Sequence, residues 1–468
     1  MSIFNGQIMG KKIAEILTLS LFIYSAVSAG TTTEAETGSI KLSDSNLMAI
    51  EDAIKTTLIQ NPDIGMAREG VKIAEEALKQ TDAFFRPRVT LFSEVSTGDA
   101  PSAYLFKTID QRTLPPNTNF NDPGTFTNLE TGVNVNFNVY KGGIDSLNTR
   151  VAQSDVREKR SITYQTENII ISSVIKLFFS VLKAQEYVEI ARQSVETIQE
   201  QLRIMNVRFQ GGGVLKSDIL SLEVRLADAK KDLVQSQNLY TTTITAFNTL
   251  LGNRPEDEIE LARNCECPVT FPDTYKEAVV IAMEKRPEIV QSKEMIQKAR
   301  LALKKADAGY LPSVDLNGRW YIGSDDLKVN GGSDNYTAAL TMNWDIYTGN
   351  STRSDVVMAK HGLALALKNF EKTELMIHQD VRQAYLNHDD ALQRLDVAGK
   401  SVDMADESLM LVKQRYEGGS DGITRYLETE LARNRAMINK AAAFYDEKIA
   451  LSDIAKSMGI LSTIWKDK

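Results

Sequence analysis

Few residues of this chain are of types that could do chemistry. Its three histidines, His361, His378 and His388, stand 17 and 10 positions apart in one stretch of helical pattern. At about 100° of rotation per residue, those spacings do not bring them to one helix face. The only cysteines, Cys265 and Cys267, lie in Asn-Cys-Glu-Cys-Pro. In an oxidising compartment they could pair locally, although so short a separation strains the bridge, and a metal site would need two more ligands than the neighbouring sequence offers. The reading is a local structural disulfide or no bond at all. Gly211-Gly212-Gly213 is not joined directly to a Lys-Ser/Thr pair, as a phosphate-binding loop requires. No nucleophile motif appears. The chain therefore reads as something other than an enzyme, with no metal or cofactor, and the histidines read as surface or interface groups.

The elements around these residues say more. The net charge is -8 over 468 residues, with Lys and Arg spread through the helical segments, which argues against a nucleic-acid partner. Residues 1–29 have the pattern of a signal peptide: Lys11 and Lys12, an apolar run from Ile13 to Val27 interrupted by Glu15, and Ala29 at the cleavage position. The run is too short for an anchoring helix, and no Cys near the cleavage point offers a lipid attachment site. Residues 30–44, rich in Thr, Ser, Gly and Glu, read as a flexible leader. Beyond them no stretch of about eighteen uncharged apolar residues occurs, so an exported chain of this kind is either soluble outside the cytoplasm or a β-barrel.

Two stretches decide between these. In Thr131–Gly143, Val133, Val135, Phe137 and Val139 alternate with Asn134, Asn136, Asn138 and Tyr140. In Ala338–Asn350, Leu340, Met342, Trp344 and Ile346 alternate with Thr341, Asn343, Asp345 and Tyr347. A period of two is a strand with one apolar and one polar face. A soluble sheet can use such a strand, but so can a membrane barrel with lipid outside and water inside.

The two stretches belong to an internal repeat. Pro62 and Pro287, like Pro87 and Pro312, are 225 positions apart, while Tyr140 and Tyr347, Gly212 and Gly419, and Gly252 and Gly459 are 207 apart. The single change of 18 falls between the paired strands, where the first copy has the longer loop. Each copy reads as a helix of about forty residues (47–83 and 274–308), a strand, a loop, a return strand and a very long helix. The long helices, expected over 145–209 and 351–416, would each span roughly 100 Å at about 1.5 Å per residue. Gly211, Gly212 and Gly213, and Gly418 and Gly419, are read as supplying the positive-φ positions that end them, before returning helices over 217–250 and 423–458. The resulting division is a first repeat over 45–260 with strands near 89–96 and 131–140, and a linker over 261–273. A second repeat covers 274–459 with strands near 314–322 and 336–347, and a tail covers 460–468. Four strands cannot close a barrel, and an open edge in lipid leaves backbone groups unpaired at several kcal/mol each. Three copies would supply twelve strands and a ring of long helices.

In the order and duplication of these motifs the chain resembles the TolC family of outer-membrane efflux channels. The motifs are the Asn-Pro-Asp-Ile and Arg-Pro-Glu-Ile starts, the Tyr140-Lys-Gly-Gly and Tyr347-Thr-Gly strand ends, and the glycine-containing helix tips. The resemblance implies a mainly α fold with a transmembrane β-barrel: a homotrimer, with a 12-stranded barrel in the lipid of a Gram-negative outer membrane and a 12-helix α-barrel crossing the periplasm. It also implies docking to a periplasmic adaptor (membrane fusion) protein and an inner-membrane pump or ABC transporter. The helix tips at Gly211–Gly213 and Gly418–Gly419 would then face the adaptor. Asp218 fits the family's carboxylate at the start of the returning helix, and Tyr416 its aromatic before the turn. In the second hairpin, however, Arg425 stands where a carboxylate is usual, with Glu428 one turn on, and Asp421 stands where a basic residue is usual. These five residues are the candidates for a periplasmic entrance. The function implied is a passive exit duct for efflux. The alternatives are the same channel serving type I protein secretion, or a soluble periplasmic coiled-coil scaffold.

Overall fold

A computed structural model describes residues 47–263, 271–326 and 332–466. The expected signal peptide and leader, and Cys265 and Cys267, lie outside the described residues.

The described residues begin with a two-residue strand, β1 (Leu47–Met48), and then α1 (Ile50–Gln60) and α2 (Pro62–Gln80). The expected single helix of about forty residues is thus two helices. A residue before proline is pushed to extended backbone, and Asn61 adopts φ -65 and ψ 125. Its side chain then caps α2 by accepting from the Asp63 and Ile64 amides, with Pro62 at the first helical position. The second repeat breaks identically between α6 (Tyr275–Lys285) and α7 (Pro287–Asp307), at Arg286.

Each break meets the end of a returning helix. The Asn61 amide donates to the Leu250 carbonyl at 2.8 Å. At Gly252, which has φ of +87°, an added Cβ would lie 2.9 Å from the Gln60 carbonyl oxygen. At Gly459 it would lie 2.9 Å from the Arg286 Cα. Glycine is needed there twice over, for the left-handed cap and for the close approach of backbones.

After a 3₁₀ turn at Thr81–Phe85 comes β2 (Arg88–Gly98), then a helix, α3 (Pro101–Asp110), within a stretch expected to be loop. The return strand β3 (Phe126–Lys141) is longer than expected and runs into α4 (Ile144–Gln210), 67 residues without a break. The returning helix is α5 (Lys216–Leu251), followed by β4 (Glu260–Leu261), which pairs parallel with β1. In the second repeat, β5 (Ser313–Ser324) and β6 (Asp334–Asn343) precede α8 (Ser351–Glu417) and α9 (Ile423–Met458). β6 ends at Asn343, so Trp344, Asp345, Ile346 and Tyr347 are not strand.

The 460–468 segment is not a plain tail. Leu461–Lys466 forms α10, whose Leu461 and Trp465 are buried in the main core, and the Ser462 amide donates to Asn168 Oδ1 at 2.8 Å. That core sits about halfway along the long helices. It is built on Phe178, with its ring edge-on to Phe179 at 5.7 Å and Phe247 at 6.1 Å, together with Ile54, Ile64 and Ile175. Burial of these aromatics is what holds the α4 and α5 rods against the shorter helices α1 and α2. His388 is likewise no surface group. It is buried between α8 and α9, with its ring 5.4 Å from Phe271 and its Nε2 3.8 Å from Glu447.

The two hairpins join into one antiparallel sheet of order β2-β3-β5-β6, leaving β2 and β6 as edges. The seam between repeats is the β3–β5 pairing, which runs from Leu129–Ser324 to Lys141–Ser313. Gly132 sits in this seam on the same face as Tyr321, where an added Cβ would lie 2.2 Å from the Trp320 carbonyl oxygen.

Candidate functional site

The register sorts the sheet into two chemically opposite faces. Val89 lies opposite Val135, Leu91 opposite Val133, and Val133 opposite Trp320. Phe137 lies opposite Leu316, and Leu316 opposite Leu340. The face is apolar across all four strands and it is uncovered, with Leu91 at 70% and Leu340 at 69% exposure. The reverse face carries Thr90, Asn134, Arg319 and Thr337 in one row, and Arg88, Asn136 and Asn317 in the next. Here Arg319 pairs with Glu130 and lies 4.5 Å over the Phe92 ring.

A register shift between Asn138 and Tyr140 corrects one expectation. Val139 is the extra residue, and Tyr140 lies opposite Val314, on the apolar face rather than the polar one. Aromatic residues therefore mark both ends of that face: Trp320 and Tyr336 at one end and Tyr140 at the other, where the exposed Trp344 follows the last residue of β6. The six residue steps from Val314 to Trp320 cover about 20 Å of strand at roughly 3.4 Å each. An apolar band of about that height between aromatic residues matches the pattern of a lipid-facing strand surface. None of the described helices is long and apolar enough to cross a membrane.

At the opposite pole, the hairpin tips are tight turns. Only Gly212 and Gly419 adopt positive φ, +76° and +73°; Gly211 and Gly418 remain at negative φ, and Gly213 is not in the left-handed region either. One left-handed residue suffices because the amides that follow, Gly213 and Ser420, donate back to the Arg208 and Arg415 carbonyls at 2.9 and 2.8 Å.

The two tips pack on each other through a cluster including Met205, Ile219, Leu222, Val412, Ile423 and Leu427. Tyr416 stacks on Tyr426 with centroids 5.5 Å apart, and its hydroxyl donates to Met205 Sδ at 2.8 Å. Burial pushes the Tyr416 hydroxyl pKa up; Arg208 opposes the shift and Asp218 adds to it, so the charges of the first hairpin act on the aromatic of the second.

Of the expected entrance residues, Arg425 reaches Glu428 at 4.0 Å, with both about two-thirds exposed. Asp218 and Asp421 form no ion pair among the described residues. Asp218 sits in the first turn of α5, where a carboxylate suits the helix dipole; Arg425, in the first turn of α9, opposes it.

Two residues went unseen in the sequence reading. Tyr426 and Glu430 fall on the stripe Ile423, Tyr426, Leu427, Glu430, whose three- and four-residue spacing marks a buried face. A carboxylate on that stripe was the available signal. Glu430 is 3% exposed, and neither of its oxygens accepts a hydrogen bond among the described residues. Burial pushes its pKa up to about 7, against the pull of Arg225 and Arg433. Arg225 Nε is likewise buried without a hydrogen-bond partner, while Arg433 is engaged with Asp406.

Comparison with known proteins agrees with this geometry. The chain is 22% identical over 340 residues to outer membrane protein TolC of Vibrio cholerae, covering 71% of this chain and 77% of that one. To outer membrane protein OprJ of Pseudomonas aeruginosa it is 23% identical over 301 residues, covering 62% and 61%. The fold matches the crystal structure of the Campylobacter jejuni CmeC outer membrane channel with a TM-score of 0.76 at 18% identity, over 92% of this chain and 90% of that one. The family model for outer membrane efflux proteins matches residues 53–253 and 278–460. The duplicated hairpins, the two-faced sheet and these matches together place the chain in the outer membrane efflux protein family.

Proposed function

We propose that the protein is a passive exit duct of the Gram-negative outer membrane, acting with a periplasmic adaptor and an inner-membrane pump as the last stage of an efflux system. The observation that carries this reading is the sheet: one face largely apolar and uncovered, the other polar, with both edges open. In water an uncovered row of Val, Leu, Trp and Met is an aggregation hazard, which speaks against a soluble scaffold. In lipid it is the outer wall of a barrel, and the polar face becomes a water-filled lumen. Three subunits joining β2 to a neighbour's β6 give twelve strands and pair every edge. The long helices of three subunits then form the periplasmic tube. Selectivity in such a duct lies in its partners and in the charge and width of its constrictions, not in a pocket.

The test is the oligomer. Unheated gel electrophoresis and crosslinking of the detergent-extracted protein are expected to show a trimer, and extraction from outer membranes is expected to need detergent rather than a carbonate wash. A monodisperse folded monomer would overturn the reading.

The tips are the periplasmic mouth in this reading, with Asp218, Asp421, Arg425 and Glu428 repeated on rings. The Arg425–Glu428 pair is exposed and contributes under about 1 kcal/mol, so the Tyr416–Tyr426 stack and its apolar surroundings hold the tips. Arg425 therefore matters through its field more than through its bond. Arg425→Glu is expected to leave the trimer intact, shift ion selectivity in planar bilayers toward cations and raise single-channel conductance. Unchanged conductance and ion preference would make these residues plain solvated helix-start charges.

A further inference from the structure

The first repeat carries a feature not found among the described residues of the second: the helix α3, in the connection between β2 and β3. It lies on the polar face of the sheet at the end remote from the long helices, and it is fastened there by several bonds. Lys107 Nζ reaches Glu130 Oε2 at 2.6 Å, and Glu130 is also held by Arg319. The Tyr321 hydroxyl donates to Asp110 Oδ2 at 2.9 Å, and the Asn335 amide to the Asp110 carbonyl at 3.2 Å. Just past the helix, Gln111 Nε2 donates to the Thr127 carbonyl and to Asn128 Oδ1 at 3.0 and 2.8 Å. These contacts span β3, β5 and β6, and Thr108, Gln111, Asn128 and Glu130 are buried by them. An exposed loop has no need of such tethering. Gly323 belongs to the same fit, since a Cβ there would meet Asn128 Oδ1 at 3.3 Å and Gln111 Cγ at 3.5 Å.

The residues of α3 pointing away from the sheet are of the opposite kind. Phe106 is 69% exposed and Ile109 is about half exposed, three positions apart on the side of the helix opposite Lys107 and Gln111. We infer that α3 is a fixed exit filter inside the barrel, its polar side riveted to the lumen wall and its Phe106 and Ile109 narrowing the outer mouth with an apolar ring. This rests on the polar face being the lumen. Three copies around the axis place three phenylalanines at one level, and an apolar constriction of that kind resists water and hydrated solutes when narrow. The filter discriminates by size and polarity at the exit, independently of the helix tips at the other pole, and it limits back-entry of large polar compounds.

The test uses the full trimer in intact outer membranes with Cys265 and Cys267 replaced by serine. A reporter cysteine replaces Asn136, which lies on the polar face and nearer the long helices than α3, so a reagent from outside must pass α3 to reach it. Membrane-impermeant thiol reagents are added from outside, one a small sulfonate and one a maleimide on polyethylene glycol. With α3 intact the small reagent is expected to label and the long one to be excluded. Lys107→Ala combined with Tyr321→Phe releases the tether, while Phe106→Ala removes only the exposed ring and leaves the sheet contacts alone. Each is expected to speed labelling by the long reagent about tenfold or more. Equal labelling by the long reagent with and without these changes overturns the filter and leaves the channel reading standing. Labelling by neither reagent until the protein is denatured overturns the lumen assignment itself, and the filter with it.

Discussion

Val135→Arg is expected to abolish assembly of the folded trimer in the outer membrane, while Asn136→Arg, one residue along the same strand, is expected to assemble normally. Val135 lies opposite Val89 on one side and Gly318 on the other, in the middle of the uncovered apolar face. An arginine at the lipid midplane of a barrel costs about 2–4 kcal/mol, and three subunits repeat the cost. Asn136 lies opposite Arg88 and Asn317 on the polar face, where another arginine meets water and existing polar neighbours. Heat-modifiable mobility of the trimer in outer-membrane fractions reads the difference. Equal behaviour of the two variants would mean that the alternating strand does not separate lipid from water.

A second large effect is expected at Glu430. Its carboxyl is buried near the hairpin tips, with a folded-state pKa of about 7 against an ordinary 4.5. Between those values the folded protein binds more protons than the unfolded chain, so stability falls as pH rises. The stabilising protonated state is fully present below about pH 4.5 and is lost as pH rises through about 7. The effect on stability is on the order of 3 kcal/mol for each subunit. Glu430→Gln is uncharged throughout, so its denaturant midpoint is expected to match the parent near pH 4.5 and to exceed it near pH 8. A parent whose midpoint shows no fall between those pH values would mean that Arg225 and Arg433 compensate the buried charge fully. In that case Glu430→Gln would gain nothing at alkaline pH.

Periodicity and repetition carried much of this architecture. The alternation of Val133, Val135 and Phe137 with asparagines, and the absence of proline from the long helices, are local properties. They act over one strand or one helix turn and need no distant partner to be read. The 207-residue echo of Gly212 in Gly419 located both tips for the same reason. Even the breaks at Pro62 and Pro287 were legible in principle, since the restriction on the preceding residue is local.

What the sequence could not show depends on residues far apart. The Val139 bulge exists only because β3 pairs with β5, and it decides that Tyr140 joins the apolar girdle. The identity of Glu430 as a buried charge depends on its surroundings between the hairpins, with Arg225 on another helix. The place of α3 is the clearest case. Residues 101–110 read alone are a short helix in a loop, with Lys107, Thr108 and Asp110 as ordinary polar positions. Only the folded sheet brings Glu130, Tyr321 and Asn335 beneath them, and hydrogen bonds across 23 to 225 residues of sequence leave no periodic trace in the chain. Local patterns specified the elements because backbone bonding and amphipathic faces repeat at short period. The register, the tethering and the buried charge were decided by tertiary structure because each requires two distant segments to occupy the same place.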